Sequence, residues 1–409
     1  MGAVLDLAER LLGGELDPAV HHPFAPLLEL EELSPTLGFV SSFANVTALR
    51  TPEGLLLLDA SSAWMAPQVR TLVRAWTDAP LTTLVYTHGH IDHVGGAELW
   101  LAAEPGARVL AQAELPRRFH RYRLTAGYNA CINTRQFRVP VRWPASLRQP
   151  DELVQERRVL RLADEEVELR AARGETDDHL WVWLPRQRAV CTGDLFIWAV
   201  PNAGNPQKVQ RYPLDWANAL REMASLHPAI LCPGHGPPII GQERVQRALC
   251  ETAELLEDLC HQVLQLMNDG AKLDDVLHAV KAPSHLLERP YLRPIYDEPA
   301  FIVRNLWRLY GGWWDGNPAN LLPASERELA TEIATLVGGA GRLVERAQAL
   351  MEQDQLPLAC HLIELAARAA PQDPAVQQAR AAIYRRRAQT QTSLMARNLF
   401  LVAAEEGGS

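Results

Sequence analysis

Residues 84–96 read Leu-Val-Tyr-Thr-His-Gly-His-Ile-Asp-His-Val-Gly-Gly, and no other stretch constrains the fold and chemistry of this chain so sharply. The apolar, β-branched run Leu84–Thr87 predicts a strand that ends where the histidines begin. Side chains alternate on extended backbone, so His88, His90 and Asp92 share one side. His93 then turns in from the first turn of a following helix, and Gly95-Gly96 leave room for close backbone approach. One catalytic zinc usually keeps three protein ligands and an open position, so four ligand-type groups leaving one strand end are too many for it. Two metal ions fit better, with His88 and His90 on the first and Asp92 and His93 on the second.

Each ion then needs further ligands from other strand ends. Three segments qualify: Arg173-Gly-Glu-Thr-Asp-Asp-His179 before the predicted strand Leu180–Leu184, Cys191-Thr-Gly-Asp-Leu195 at the end of Ala189–Thr192, and Cys232-Pro-Gly-His-Gly236 after Ala229–Cys232. More strands are expected at Phe43–Leu49, Leu55–Leu58, Ala107–Leu110, Val159–Leu162 and Val167–Ala171, with a helix at Gln68–Trp76. Strands mixed with helices over some 200 residues make an α/β layered domain, and a chain of 409 residues has room for a second one. From about residue 242 the spacing turns helical: Gln242–Asn268, Phe301–Tyr310, Glu326–Val337, Arg342–Gln353, Leu358–Ala369 and Pro374–Thr390. The expected division is 1–241, α/β, and 242–409, all-α. Residues 117–145 read as an irregular stretch, with Tyr122, Tyr128, Asn129 and Arg135 as candidates to fold over the metals.

Composition narrows the function classes. Forty Lys and Arg against 49 Asp and Glu give a net charge of −9, which speaks against nucleic-acid binding. The longest apolar runs fall far short of the ~20 residues of a membrane span. The opening MGAVLDLAERLLGGELDP mixes acids among its apolar residues, unlike a signal peptide. Six scattered cysteines without a CxxC read as reduced, so a cytoplasmic protein is expected.

His88-Gly-His-Ile-Asp-His93, Thr192-Gly-Asp194 and Pro233-Gly-His-Gly236, in this order, resemble the metallo-β-lactamase superfamily of metallohydrolases. The resemblance implies an αββα sandwich with the metals at one edge of its two sheets. It implies that His88 and His90 bind one metal, Asp92 and His93 the other, that Asp194 bridges, and that His235 completes the second site. Glu175 stands where the superfamily usually has the His of a GHT sequence, and this resembles the alkylsulfatase branch. Arg304–Leu321 and the helices after it look like the alkylsulfatase dimerisation domain, which implies a homodimer. That branch has Glu where Asp194 stands. His179 is the alternative to Glu175 as ligand, or else a residue that orients a ligand or catalytic water.

The expected function is hydrolysis of a small anionic sulfate ester, alkyl or aryl, by a hydroxide bridging two divalent ions. Zinc is the default for His and carboxylate donors, and iron and manganese suit the same set. A phosphoester hydrolase, a lactonase or a thioesterase of the glyoxalase II kind is the alternative on the same fold. Asn202, Asn205, Lys208 and Arg211, a few residues beyond Asp194, are the candidates to meet the substrate's anionic group. Asp92, His179 and Tyr212 are the catalytic candidates, the last two as acids for the leaving group.

Overall fold

The computed structural model describes residues 2–406. Seven strands form the first sheet in sequential order: β1 (Leu30–Ser34), β2 (Leu37–Val40), β3 (Val46–Thr51), β4 (Gly54–Leu58), β5 (Leu81–Val85), β6 (Arg108–Gln112) and β7 (Glu152–Val154). β1 to β4 are antiparallel and β4 to β7 parallel. Six strands form the second: β8 (Arg157–Leu162), β9 (Glu165–Ala172), β10 (His179–Leu184), β11 (Ala189–Ile197), β12 (Ile230–His235) and β13 (Ile239–Ile240), in the order β13-β12-β11-β10-β9-β8. Only β11 and β12 run parallel there.

Alternation along the strands builds the layers. In β10, Leu180, Val182 and Leu184 face a core shared with Phe39, Leu56, Leu58, Val85 and Leu110 of the first sheet. Trp181 and Trp183, at the intervening positions, join a second core with helix residues Trp216, Leu220, Leu249 and Leu256. Both faces of β10 are apolar because both are covered, which is why it reads as a continuous hydrophobic run. This is an α/β sandwich of two sheets flanked by helices, with a helical second half.

The helices are α1 (Ala3–Leu12), α2 (Ala66–Trp76), α3 (Ile91–Val94), α4 (Ala97–Ala103), α5 (Leu115–Leu124), α6 (Ala126–Phe137), α7 (Pro213–Ser225), α8 (Gln242–Asn268), α9 (Leu273–Ala279), α10 (Ser284–Leu287), α11 (Pro299–Gly311), α12 (Glu326–Val337), α13 (Ala340–Glu352), α14 (Leu356–Ala369), α15 (Pro374–Gln389) and α16 (Leu394–Glu405). Packing divides the chain into two compact units. The first takes the chain up to Ala126 together with Pro144–Gly312, and the second takes Gly127–Trp143 and the chain from Trp313 on. The 241/242 division follows sequence texture, whereas the compact units follow packing, and α8 lies with the sheets because Leu249, Leu256 and Leu259 are buried in their outer core. In the second unit α13 packs on α14 and α15 on α16, around the fully buried Ala347, Ala359, Ile363 and Ala366.

The expectation of an irregular 117–145 stretch is corrected: most of it is α5 and α6. Leu115, Arg118, Phe119 and Tyr122 fall at helical spacing and are buried, and Pro116 sits in the first turn, where its missing N–H is harmless. The eye is misled because a buried Arg reads as polar. Tyr128, Asn129 and Arg135 belong to the second unit, where Asn398 Nδ2 donates to the Gln136 carbonyl at 2.7 Å.

Candidate metal centre

Four chain segments deliver the predicted ligands to one end of the sheets. β5 stops at Val85, two residues before the expected end, and the chain bends at Thr87 and His88; only His90 is extended, and Asp92 and His93 lie in α3, so the expected one-sided alternation of His88, His90 and Asp92 is replaced by a bend and a helical turn. Glu175 lies in the turn before β10. The parallel pairing of β11 with β12 brings Asp194 beside His235. Gly234 makes that approach possible, since a Cβ there would stand 2.1 Å from Asp194 Oδ1.

Two clusters result. His88, His90, Glu175 and Asp194 form one, and Asp92, His93 and His235 form the other; within each, the ligand-type atoms lie within 4.8 Å of one another. In the first, His88 Nε2 is 2.9 Å from His90 Nδ1, 3.8 Å from Glu175 Oε2 and 3.7 Å from Asp194 Oδ2. His90 Nδ1 is 3.5 Å from Glu175 Oε2. In the second, His93 Nε2 is 3.8 Å from Asp92 Oδ2 and 3.4 Å from His235 Nε2, and His235 Nε2 is 3.6 Å from Asp92 Oδ2. Asp194 joins the two, with Oδ1 at 3.2 Å from His93 Nε2 and Oδ2 at 3.3 Å from His235 Nε2.

The donor set fits metal ions. Ligands at about 2.0–2.2 Å from a tetrahedral ion stand roughly 3.3–3.6 Å apart, and most of these separations are near that and too long for hydrogen bonds. Glu175 Oε2 and Asp194 Oδ1 are buried carboxylate oxygens without a hydrogen bond, a costly state that a cation relieves.

The opposite faces of the imidazoles are held by the protein. His93 Nδ1 is 2.7 Å from Asp59 Oδ2, which also accepts from the Thr87 hydroxyl at 2.7 Å, while Asp59 Oδ1 accepts from Thr87 N at 2.7 Å. Thr87 Oγ1 is 3.0 Å from His88 Nδ1, and the Phe43 carbonyl meets His235 Nδ1. Such outer partners fix ring orientation and leave the Nε2 atoms facing inward. Burial, with His93 next to it, holds His88 well below the usual histidine range. For His93 burial works the same way but is outweighed by Asp194, Asp59 and Asp92, which lift it well above that range. Burial opposes the Asp194 charge, yet His235, His93 and His88 hold its carboxyl well below the carboxylate range.

Glu175 and His179, the two alternatives for one ligand position, are distinguished by geometry. Glu175 stands in the first cluster. His179 stacks on His88 with ring centroids 4.7 Å apart, and its Nε2 lies 3.1 Å from the Thr192 carbonyl. Tyr212 points elsewhere: the Arg173 guanidinium lies 4.8 Å from its ring centre, in a groove of about 630 Å³ whose lining contains no residue of either cluster. Two expected anion-binding groups turn to Glu175 instead. Arg211 Nη1 lies 2.7 Å from both Glu175 Oε1 and the Glu175 carbonyl, and Asn202 Nδ2 donates to the same Oε1. Asn205 Oδ1 accepts from Gln207 N at 3.1 Å. Lys208 is drawn down to about 8 by burial and by the neighbouring Arg211, against Glu175 and Asp92.

Sequence reasoning missed Asp59, although an acid directly after the apolar run Leu55–Leu58 was a visible signal. It also missed an aromatic side to the site. Phe24 and Phe43 each stand 5.0 Å from the His235 ring, and Tyr296 stands 5.4 Å from Phe24. Burial, with Glu175, Asp92 and Asp194 nearby, pushes the Tyr296 hydroxyl well up. No local pattern brings positions 24, 43 and 296 together.

Residues 41–235 match the family model of the metallo-beta-lactamase superfamily, and residues 272–408 match that of alkyl sulfatase dimerisation. The chain therefore joins a metallo-beta-lactamase domain to an alkyl sulfatase dimerisation domain. Its relatives are alkylsulfatases, hydrolases acting on sulfuric esters. It is 23% identical over 384 residues to a linear primary-alkylsulfatase of Pseudomonas sp. (strain ATCC 19151), covering 88% of this chain and 73% of that one. It is 25% identical to an (R)-specific secondary-alkylsulfatase of Pseudomonas sp., covering 99% and 67%. The solved stereoselective inverting sec-alkylsulfatase Pisa1 from Pseudomonas sp. shares the fold with a TM-score of 0.83 at 23% identity; the match covers 93% of this chain and 65% of that one.

Proposed function

We propose that this chain hydrolyses sulfate esters of alkyl or aryl alcohols at a centre of two divalent metal ions, zinc by default for His and carboxylate donors, with iron and manganese suiting the same set. The observation that carries the reading is the pair of ligand clusters meeting at one buried carboxylate, Asp194. The likeness to alkylsulfatases along 88% and 99% of the chain supports the substrate class. Bound there, two ions supply a water of lowered pKa and a Lewis acid for the ester oxygens.

The chain's own residues do the rest. His88, His90 and Glu175 hold one ion, Asp92, His93 and His235 the other, and Asp194 is shared. Arg211 and Asn202 fix Glu175 by its outer oxygen. Asp92 is a quarter exposed while Asp194 and Glu175 are buried, so it is the carboxylate reaching the open side and the one suited to orient the attacking water. Lys208 and Asn205 meet the anionic sulfate, whose charge stabilises the protonated lysine. Phe24, Phe43 and Tyr296 offer an apolar side to the alcohol's carbon skeleton. The helical domain, by its family, supports a homodimer. Six free cysteines support a cytoplasmic setting, and among the described residues no helix is long and apolar enough to cross a membrane.

Parallel assays of p-nitrophenyl sulfate, a phosphodiester, a lactone and a thioester on metal-loaded protein test the reading. Sulfate release that disappears in Asp194→Asn, with the fold intact by circular dichroism, is the expected result. Preference for the thioester or phosphodiester with no sulfate turnover would overturn it.

A further inference from the structure

We infer that Arg118, on α5, is a positioning residue that latches together the two loops carrying the ligands of the first metal. The inference rests on the proposed reading of the metal centre. Arg118 is 3% exposed, and every nitrogen of its guanidinium has a partner. Nε donates to Asp178 Oδ1, Nη2 to Asp177 Oδ1, and Nη1 to the Tyr122 hydroxyl at 3.2 Å. Asp177 and Asp178 stand two and three residues beyond Glu175, in the turn that leads into β10. The other oxygen of Asp178 accepts the Gly89 backbone N–H at 2.9 Å. Gly89 separates His88 from His90.

One guanidinium therefore fixes the turn after Glu175 directly and the His88–His90 backbone through a single carboxylate. Asp178 is fully buried, so removing Arg118 would leave a buried carboxylate without its ion-pair partner. The fit leaves no slack: a Cβ at Gly89 would stand 2.7 Å from Arg118 Cδ, 2.8 Å from Leu115 Cδ1 and 2.9 Å from Asp178 Oδ2. The glycine between the two histidines is thus required by the latch, which passes directly beneath it. The hydrogen bonds of Arg118 and Asp178 run to the turn after Glu175 and to Gly89, beside the ligands of the first cluster, so the effect is expected at the first metal. A residue that only stabilised the fold would have no such selectivity.

The test is chelator competition on the full chain, which reads two metal dissociation constants, in wild type, Arg118→Met and Arg118→Lys. In Arg118→Met one constant is expected to rise about 10–100-fold, the usual effect of losing an outer partner, while the other holds. Arg118→Lys keeps the charge and one contact, so it is expected to recover part of that loss. The melting temperature of the metal-free forms reports the fold separately. If Arg118→Met does not fold, a selective rise of one constant in Arg118→Lys carries the same meaning. Two unchanged constants, or two that rise together, would overturn the latch and leave the metal centre standing. Wild type binding fewer than two ions would overturn both.

Discussion

A carboxylate in a ligand position usually given to an imidazole needs its second oxygen occupied, or it rotates. Here Arg211 and Asn202 take Glu175 Oε1 and leave Oε2 facing His88 and His90. Arg211 and Glu175 are 2% and 3% exposed, so removing one partner strands a buried charge. Arg211→Met is expected to destabilise the metal-free protein by about 3–5 kcal/mol, read from urea unfolding. The same substitution should leave KM for sulfate esters little changed once metal is restored; a KM effect with full metal content would return Arg211 to substrate binding. Asp59 would play the same part at the second cluster, where it meets His93 Nδ1 at 2.7 Å. Asp59→Asn should weaken one metal constant about 10–100-fold by releasing the His93 ring, a change that chelator competition would detect. Asp297 gives a pH dependence away from the ligands. Burial raises it to about 7, although it accepts the N–H groups of Gly204 and Glu298. The fold thus prefers its neutral form. That contribution is complete below the ordinary carboxylate range and is lost as pH rises through about 7. Urea midpoints at pH 5 and pH 8 should diverge in wild type and less so in Asp297→Asn.

Elements show why the centre was legible and its surroundings were not. Leu84–Thr87 followed by HGHIDH carries strand, turn and ligands in one window, and the structure brings together all seven residues expected to hold metal. The contacts between them are long-range, but each ligand sits beside its own local strand signal. The outer partners have no such marker. Asp59, Arg118 and Tyr296 gain their places from strand order and helix packing, which one sequence does not encode locally. Edge strands β1 and β7 have no such marker either, since Leu30–Ser34 mixes acids with its leucines and Glu152–Val154 is three residues long, while the interior β2, Leu37–Val40, is apolar but only four residues long. The parallel pairing of β11 with β12 gives the element-scale prediction. Gly234→Ala would drive a methyl group into Asp194 Oδ1, so β12 must shift and His235 with it. Metal affinity at the shared carboxylate should fall about tenfold or more by isothermal titration; wild-type affinity would mean that the strands are not held at this spacing.

At the scale of the molecule, the change of period from 2 to 3.6 near residue 242 was legible, but the compact units were not, since α8 to α11 belong with the sheets and Gly127–Trp143 belongs with the chain beyond Trp313. Chemistry is concentrated in the first unit. Its central claim is that one buried carboxylate sits between two cations. Anomalous-difference density from crystals grown with zinc and collected at the zinc edge tests this most directly. Two peaks per chain flanking the Asp194 carboxylate, one beside His88, His90 and Glu175 and one beside Asp92, His93 and His235, are predicted. A single peak in fully loaded crystals, or peaks away from Asp194, would contradict it.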